Sequence, residues 1–116
     1  MGVDLTLLPV LSADNWCSFD LLDVERRREL WPLIAALGEA PVPKPVTSFR
    51  GKRADGETCF GERLENPYGD KLTWLPAGKL AELVNAEPVR DNWRNRAVWA
   101  WLNNAPPELP IVLYWH

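Results

Sequence analysis

Histidine is nearly absent from this chain, which carries a single one, His116, at its last position. Catalysis by a positioned imidazole is therefore not expected, because chain ends tend to be mobile. Cysteine is scarce as well. Cys17 and Cys59 form no metal-ligand spacing, and without an export signal they are expected as two reduced thiols rather than a disulfide. Positive charge is not in excess: 13 Lys and Arg stand against 16 Asp and Glu, a net charge of −3 with a pI of about 5.1. No global field therefore draws the chain to nucleic acid or anionic lipid, and the near balance argues against a DNA-mimicking surface. Long apolar runs are also missing. The opening MGVDLTLLPVLSADNW has no basic leader, is broken by Asp4, Thr6 and Pro9, and is too short to cross a bilayer. Met1-Gly2 lacks the surrounding context of a myristoylation start. These absences predict a soluble cytoplasmic protein with no cofactor, no metal and no membrane contact.

What is present suits one packed unit. The 116 residues are 47% apolar, the usual size for one domain and enough to bury somewhat over roughly 60% of the unfolded chain's surface. Residues 3 to 8, VDLTLL, read as a strand, and WCSFDLL (16 to 22) as a second. Asp23 offers an N-cap to a helix over 24 to 37, with Leu30, Trp31, Ile34 and Leu37 on one stripe, Pro32 as a kink or first-turn restart, and Gly38 as the stop. APVPKPV (40 to 46) is excluded from helix and from central strand, which predicts a stiff extended connector. Three short strands follow, VTSFR, TCFGERL and KLTWL, separated by GKRADGE and ENPYGD, and together they predict a meander. LPAGKLAELVN predicts a short helix. Glu87-Pro88 opens another running to about Asn103, with Val89, Trp93, Ala97, Ala100 and Trp101 on one stripe and a second half so apolar that it should be deeply covered. IVLYWH is a last strand, expected to pair with the first and tie both ends down. The sum is α+β: a mainly antiparallel sheet of four to six short strands with two or three helices packed on one face.

The stretch GKRADGET (51 to 58) nearly matches the phosphate-cradling pattern G-x-x-x-x-G-K-[ST]. That loop needs a lysine to neutralise charge and a following helix whose N-terminus faces the anion. Glu57 stands where the lysine should be, and the strand-like TCFGERL follows. The residues therefore read as a hairpin loop turning at Asp55-Gly56. Charges from Arg50 to Lys71 balance in sign, so nucleic-acid affinity there should be weak and salt-sensitive. Glu62 and Glu65, three apart in a strand, point to opposite faces and do not form an acid/base pair. Arg26-Arg27-Arg28, flanked by Glu25 and Glu29, reads as a solvated face. Cys59 lacks a histidine to activate it.

Seven tryptophans are many for this length. Most should be core, yet tryptophan is seldom fully buried and is enriched in binding hot spots. An exposed tryptophan beside arginines would be the best sign of a protein-binding patch. The candidate contact residues are Arg50, Lys52, Arg53, Glu57, Arg63 and Trp74.

Two stretches, VDLTLLP and FRGKRADGETCFGERLENPYGDKLTWLPAGKL, together with ELWPLI after the second strand, resemble a group of small proteins encoded by bacteriophages and prophages. The likeness lies in the FRG…DGE loop, the NPYG turn and the L-x-W-L-x-A-G-x-L passage into a helix, which are turns and packing rather than chemistry. It implies a phage accessory protein in a bacterial cytoplasm and carries no activity, cofactor or catalytic residue with it. The expected function is non-catalytic binding of a protein partner, such as a host-defence or host-takeover target. The alternative is a small enzyme or nucleotide or sugar-phosphate binder using the 50 to 71 hairpin.

Overall fold

Apolar strands near the two ends of the chain pair with each other in the computed structural model, which describes residues 3–11, 16–18, 21–48 and 61–116. In chain order the elements are β1 (Leu5–Pro9), β2 (Cys17–Ser18), β3 (Leu22–Val24), α1 (Leu30–Ala35), β4 (Ala40–Pro41), β5 (Val46–Ser48) and β6 (Gly61–Arg63). Then come β7 (Thr73–Pro76), α2 (Ala77–Ala81), a 3-10 turn (Glu82–Asn85), α3 (Glu87–Arg90), α4 (Trp93–Asn104) and β8 (Pro110–Trp115). A five-stranded sheet has the order β3-β1-β8-β7-β4, and each pairing is antiparallel. The α+β expectation holds, with four short helices.

β8 lies in the middle because its residues are apolar without alternation, as a strand covered on both faces requires. One face of the sheet, through Leu5, Leu7, Leu75, Ile111 and Leu113, packs on Leu30 and Ile34 of α1, Leu80 of α2, Val89 of α3, and Val98, Trp99 and Leu102 of α4. The other face, through Leu8, Val112 and Tyr114, packs on Trp16, Val42 and Val46. That second cover is a three-stranded sheet, β2-β5-β6, in which β2 runs parallel to β5. Trp16 enters it in the left-handed region at φ 45°. A non-glycine residue there costs about 1–2 kcal/mol, offset by near-complete burial and an edge-to-face contact with Trp74 at 5.6 Å.

Several boundaries differ from the sequence reading, each for a local reason. Residues 16 to 22 split between two sheets. Asp23 caps no helix: it sits in β3 opposite Thr6 and accepts that hydroxyl's hydrogen bond. The expected helix from 24 shrinks to Leu30–Ala35 because Val24 stays in the sheet and the backbone of Glu25 is clamped by Asn95. Pro32 then falls in the first turn, where its missing N–H is harmless. The prolines of 40 to 46 leave β4 only two residues long, at the edge of the sheet. The meander runs through β5 and β6 and continues, by the antiparallel bridge of Glu65 with Lys71, into KLTWL, whose remainder, β7, joins the large sheet beside β8.

The largest difference concerns the last helix. It is broken at Asp91-Asn92, where Asn92 caps α4 by accepting from the N–H groups of Arg94 and Asn95. The break resets the phase. Asn95, Val98, Trp99 and Leu102 face inward, while Trp93, Ala97 and Ala100, expected on the buried stripe, are exposed. Gly78 of α2 allows a close approach: a Cβ there would lie 3.1 Å from Pro107 Cβ, on the loop following α4, and the loop would have to give by a few tenths of an ångström. No described helix is long and apolar enough to cross a membrane.

Candidate functional site

Between β3 and α1 the chain runs over the edge of the helical face, carrying the three arginines. Arg26 donates twice to Asp4, at 3.0 and 2.9 Å, and that bond together with the carboxylate charge holds its guanidinium above the ordinary arginine range. Arg27 lies 3.7 Å from Glu29. Arg28 is exposed and has no ion-pair partner among the described residues. One turn on, Trp31 meets Trp115, the last residue of β8, edge to face at 5.3 Å and 88°. Both rings are half-buried. Their open sides, with Val3, Pro32 and Ala35, line a recess of about 850 Å³ whose charged lining, among the described residues, is Arg26 and Arg28.

Val3 and Trp115 also line a second recess of about 500 Å³, so the two form one groove. Its far wall is the turn from Asn66 to Asp70. The Asn66 side-chain oxygen accepts from the N–H groups of Tyr68 and Asp70, and Gly69 supplies the positive φ, 87°, that lets the chain reverse. The turn is thereby pre-set, and Tyr68 stands 53% exposed above the groove. Lys71 follows with no ion-pair partner among the described residues, and Glu39 accepts from the Thr73 hydroxyl at 3.0 Å.

The predicted contact residues do not gather here. Arg63 is exposed in β6, and Trp74 is half-buried on the opposite face of the large sheet, against Trp16. Arg50, Lys52, Arg53 and Glu57, with the GKRADGET loop and Cys59, lie outside the described residues. What sequence reasoning missed is Arg28, Trp31, Tyr68 and Trp115. A signal for them existed: the arginine run stands directly ahead of a tryptophan in RRRELW, and the turn residues of NPYG carry a tyrosine.

A second polar cluster joins the chain ends. Thr6, fully buried, donates to Asp23 Oδ1 at 2.6 Å and lies 2.9 Å from His116 Nε2. A carboxylate only accepts and a hydroxyl has one proton, so the Thr6 oxygen accepts from His116 Nε2–H. The histidine is therefore not placed to take a proton from Thr6, and the cluster is a fastener rather than a nucleophile with its base. His116 is also held by paired backbone bonds to Asp4 at 2.7 and 2.9 Å, so this end is tied down, in line with the expected pairing of the first and last strands. Thr6→Val should lower stability by about 1 kcal/mol in urea unfolding, the usual loss for one such bond; no change would mean that the fastener contributes nothing.

Among the described residues no group of three or more His, Cys, Asp or Glu could hold a metal ion. The site is thus an open, pre-set aromatic groove on an antiparallel α+β scaffold, lined by Glu39 and Asp70 as well as by Arg28 and Lys71, two cations with no ion-pair partner among the described residues. Compared with protein-family models, curated proteins and solved structures, the chain matches none.

Proposed function

We propose that this chain is a non-catalytic binding protein whose groove takes a short segment of another protein. The segment carries an aromatic or branched aliphatic side chain next to a carboxylate. The observation behind this reading is the pairing of half-exposed Trp31 and Trp115 with Arg28, which has no ion-pair partner among the described residues, in a recess whose described charged lining is cationic. Tryptophan and arginine are the residue types in which binding energy concentrates, and a pre-set wall spares part of the ordering cost of association. An acidic segment is favoured because Arg28 and Lys71 lack carboxylates of their own among the described residues. In the setting implied by the phage resemblance, the partner is a host-defence or takeover protein in the bacterial cytoplasm.

Selection from a random peptide library against the immobilised protein tests this reading. Enriched sequences should place Asp or Glu beside Phe, Trp, Leu or Ile. Their affinity should fall by about tenfold or more in Arg28→Glu. No enrichment, or peptides that bind the variant equally well, would remove the groove from consideration.

A further inference from the structure

The groove carries opposite charge at its two ends. In the larger recess Arg26 is committed to Asp4 at 2.9 Å, so Arg28 is the cation left to meet a partner. In the smaller recess the charged lining, among the described residues, is Glu39, Asp70 and Lys71, two carboxylates against one ammonium. None of the three has an ion-pair partner among the described residues. Asp70 is exposed at the end of the pre-set turn, its main chain fixed by Asn66 through bonds of 2.8 and 3.1 Å. Glu39 is half-buried, and the Thr73 hydroxyl holds one of its oxygens at 3.0 Å, leaving the second oxygen for another donor.

Trp115 stands between the two ends, since it lines both recesses. Tyr68 joins it in the smaller one, 53% exposed. The faces of both rings are electron-rich, so they attract a cation and repel an anion. Rings and carboxylates thus favour the same sign at this end, and Lys71 alone among the described lining opposes it.

We propose that the segment bound in the groove is bipolar. It sets a carboxylate on Arg28 and an apolar side chain against Trp31 and Trp115. Its third contact is an arginine, held by Glu39 and Asp70 against the rings of Tyr68 and Trp115. This rests on the reading of the groove as a site for a protein segment and adds a second, opposite charge to it. Arginine is favoured over lysine because a planar guanidinium stacks on an aromatic face while its N–H groups still reach carboxylates. A guanidinium is also the more weakly hydrated cation, so it loses less on leaving water beside half-buried Glu39. Side-chain charge does not set the direction of the backbone, so acid-apolar-arginine and its reverse both meet the requirement. A segment acidic at both ends meets one repulsive recess, which gives the groove a means of refusing it.

Calorimetric titration with blocked synthetic peptides tests the proposal. Each peptide carries one Glu, one Phe and one Arg, separated by zero to three glycines, in both orders; controls replace the Arg or the Glu by Gln. The best Glu-Phe-Arg peptide should bind about fivefold tighter than its Gln-for-Arg control, the size of an exposed cation–π contact combined with an exposed ion pair. Joint substitution Glu39→Gln and Asp70→Asn should abolish that advantage without weakening the Glu-Phe-Gln control, which also shows that the variant is folded. Lys71→Gln should enlarge the advantage. An Arg peptide no tighter than its control, while both still weaken in Arg28→Glu, would overturn the bipolar proposal and leave the acidic-segment reading standing. An advantage that survives the joint substitution places the cation elsewhere and sinks the proposal too. Blocked arginine alone binding as tightly as the peptides makes the recess a small-cation site, with the same consequence. If no peptide of the set binds at about 1 mM, where even very weak contacts are populated, the proposal and the reading beneath it both fall.

Discussion

Trp99→Ala should cost about 3–5 kcal/mol of folding stability, the range for truncating a large aromatic in a core. Trp99 is fully buried among the helices and the sheet, and its indole N–H donates to the Leu80 carbonyl at 2.8 Å. Truncation removes the ring that holds α4 against α2 and also strips that carbonyl of its partner. Against the roughly 5–15 kcal/mol that keeps domains folded, the variant should sit close to its unfolding threshold. Trp93→Ala, on the same helix but 70% exposed, should stay within about 0.5 kcal/mol of wild type. Urea unfolding followed by circular dichroism separates the two. Equal losses would mean that the helix is turned differently from the arrangement described above.

Asn95→Asp should be nearly as damaging, about 3 kcal/mol or more at neutral pH, because it buries a charge without a partner. Asn95 is fully buried. Its oxygen accepts from the Glu25 N–H at 2.7 Å, while its NH2 group donates to the carbonyls of Glu25 and Pro88 at 3.2 and 3.1 Å. The substitution keeps the acceptor and turns a second oxygen toward two carbonyls. Burial and those dipoles raise the folded-state pKa of the introduced carboxyl above its unfolded value near 4. Above that value the folded state then holds more protons than the unfolded state, so the variant loses stability as pH rises. The gap between variant and wild type should therefore be smallest near pH 4 and should widen toward pH 7. A gap independent of pH would show that the carboxyl reaches water.

Much of the architecture was legible where one residue pattern admits one arrangement. VDLTLL and IVLYW have the length and apolar content of strands, and the expectation that they pair matches the register of Leu7 with Leu113. Gly38, at φ 81°, follows the end of α1, and the prolines of 40 to 46 keep β4 short, for stereochemical reasons that hold in any fold. Legibility failed where a tertiary contact outbid a local preference. Asp23 is a good N-cap by type, yet Thr6 and the sheet claim it. Asn92 is a good N-cap too, and there the local preference won, shifting the phase of α4 and turning Trp93 outward. The groove was harder still, because Val3, Trp31, Tyr68 and Trp115 come from four distant segments. Their residue types are visible in the sequence, but their convergence depends on the sheet order.

That order also has a kinetic consequence. The central pair, β1 with β8, joins segments from opposite ends, and the bond between Thr6 and His116 spans 110 positions. Nearly the whole chain must be looped before this pair gains any contact energy, and loop-closure entropy opposes the step until it is complete. Helical contacts such as those between α3 and α4 are local and form early, but they have no sheet to pack on until the ends meet. Folding should accordingly be slow for a chain of this size, in the millisecond-to-second range of non-local topologies.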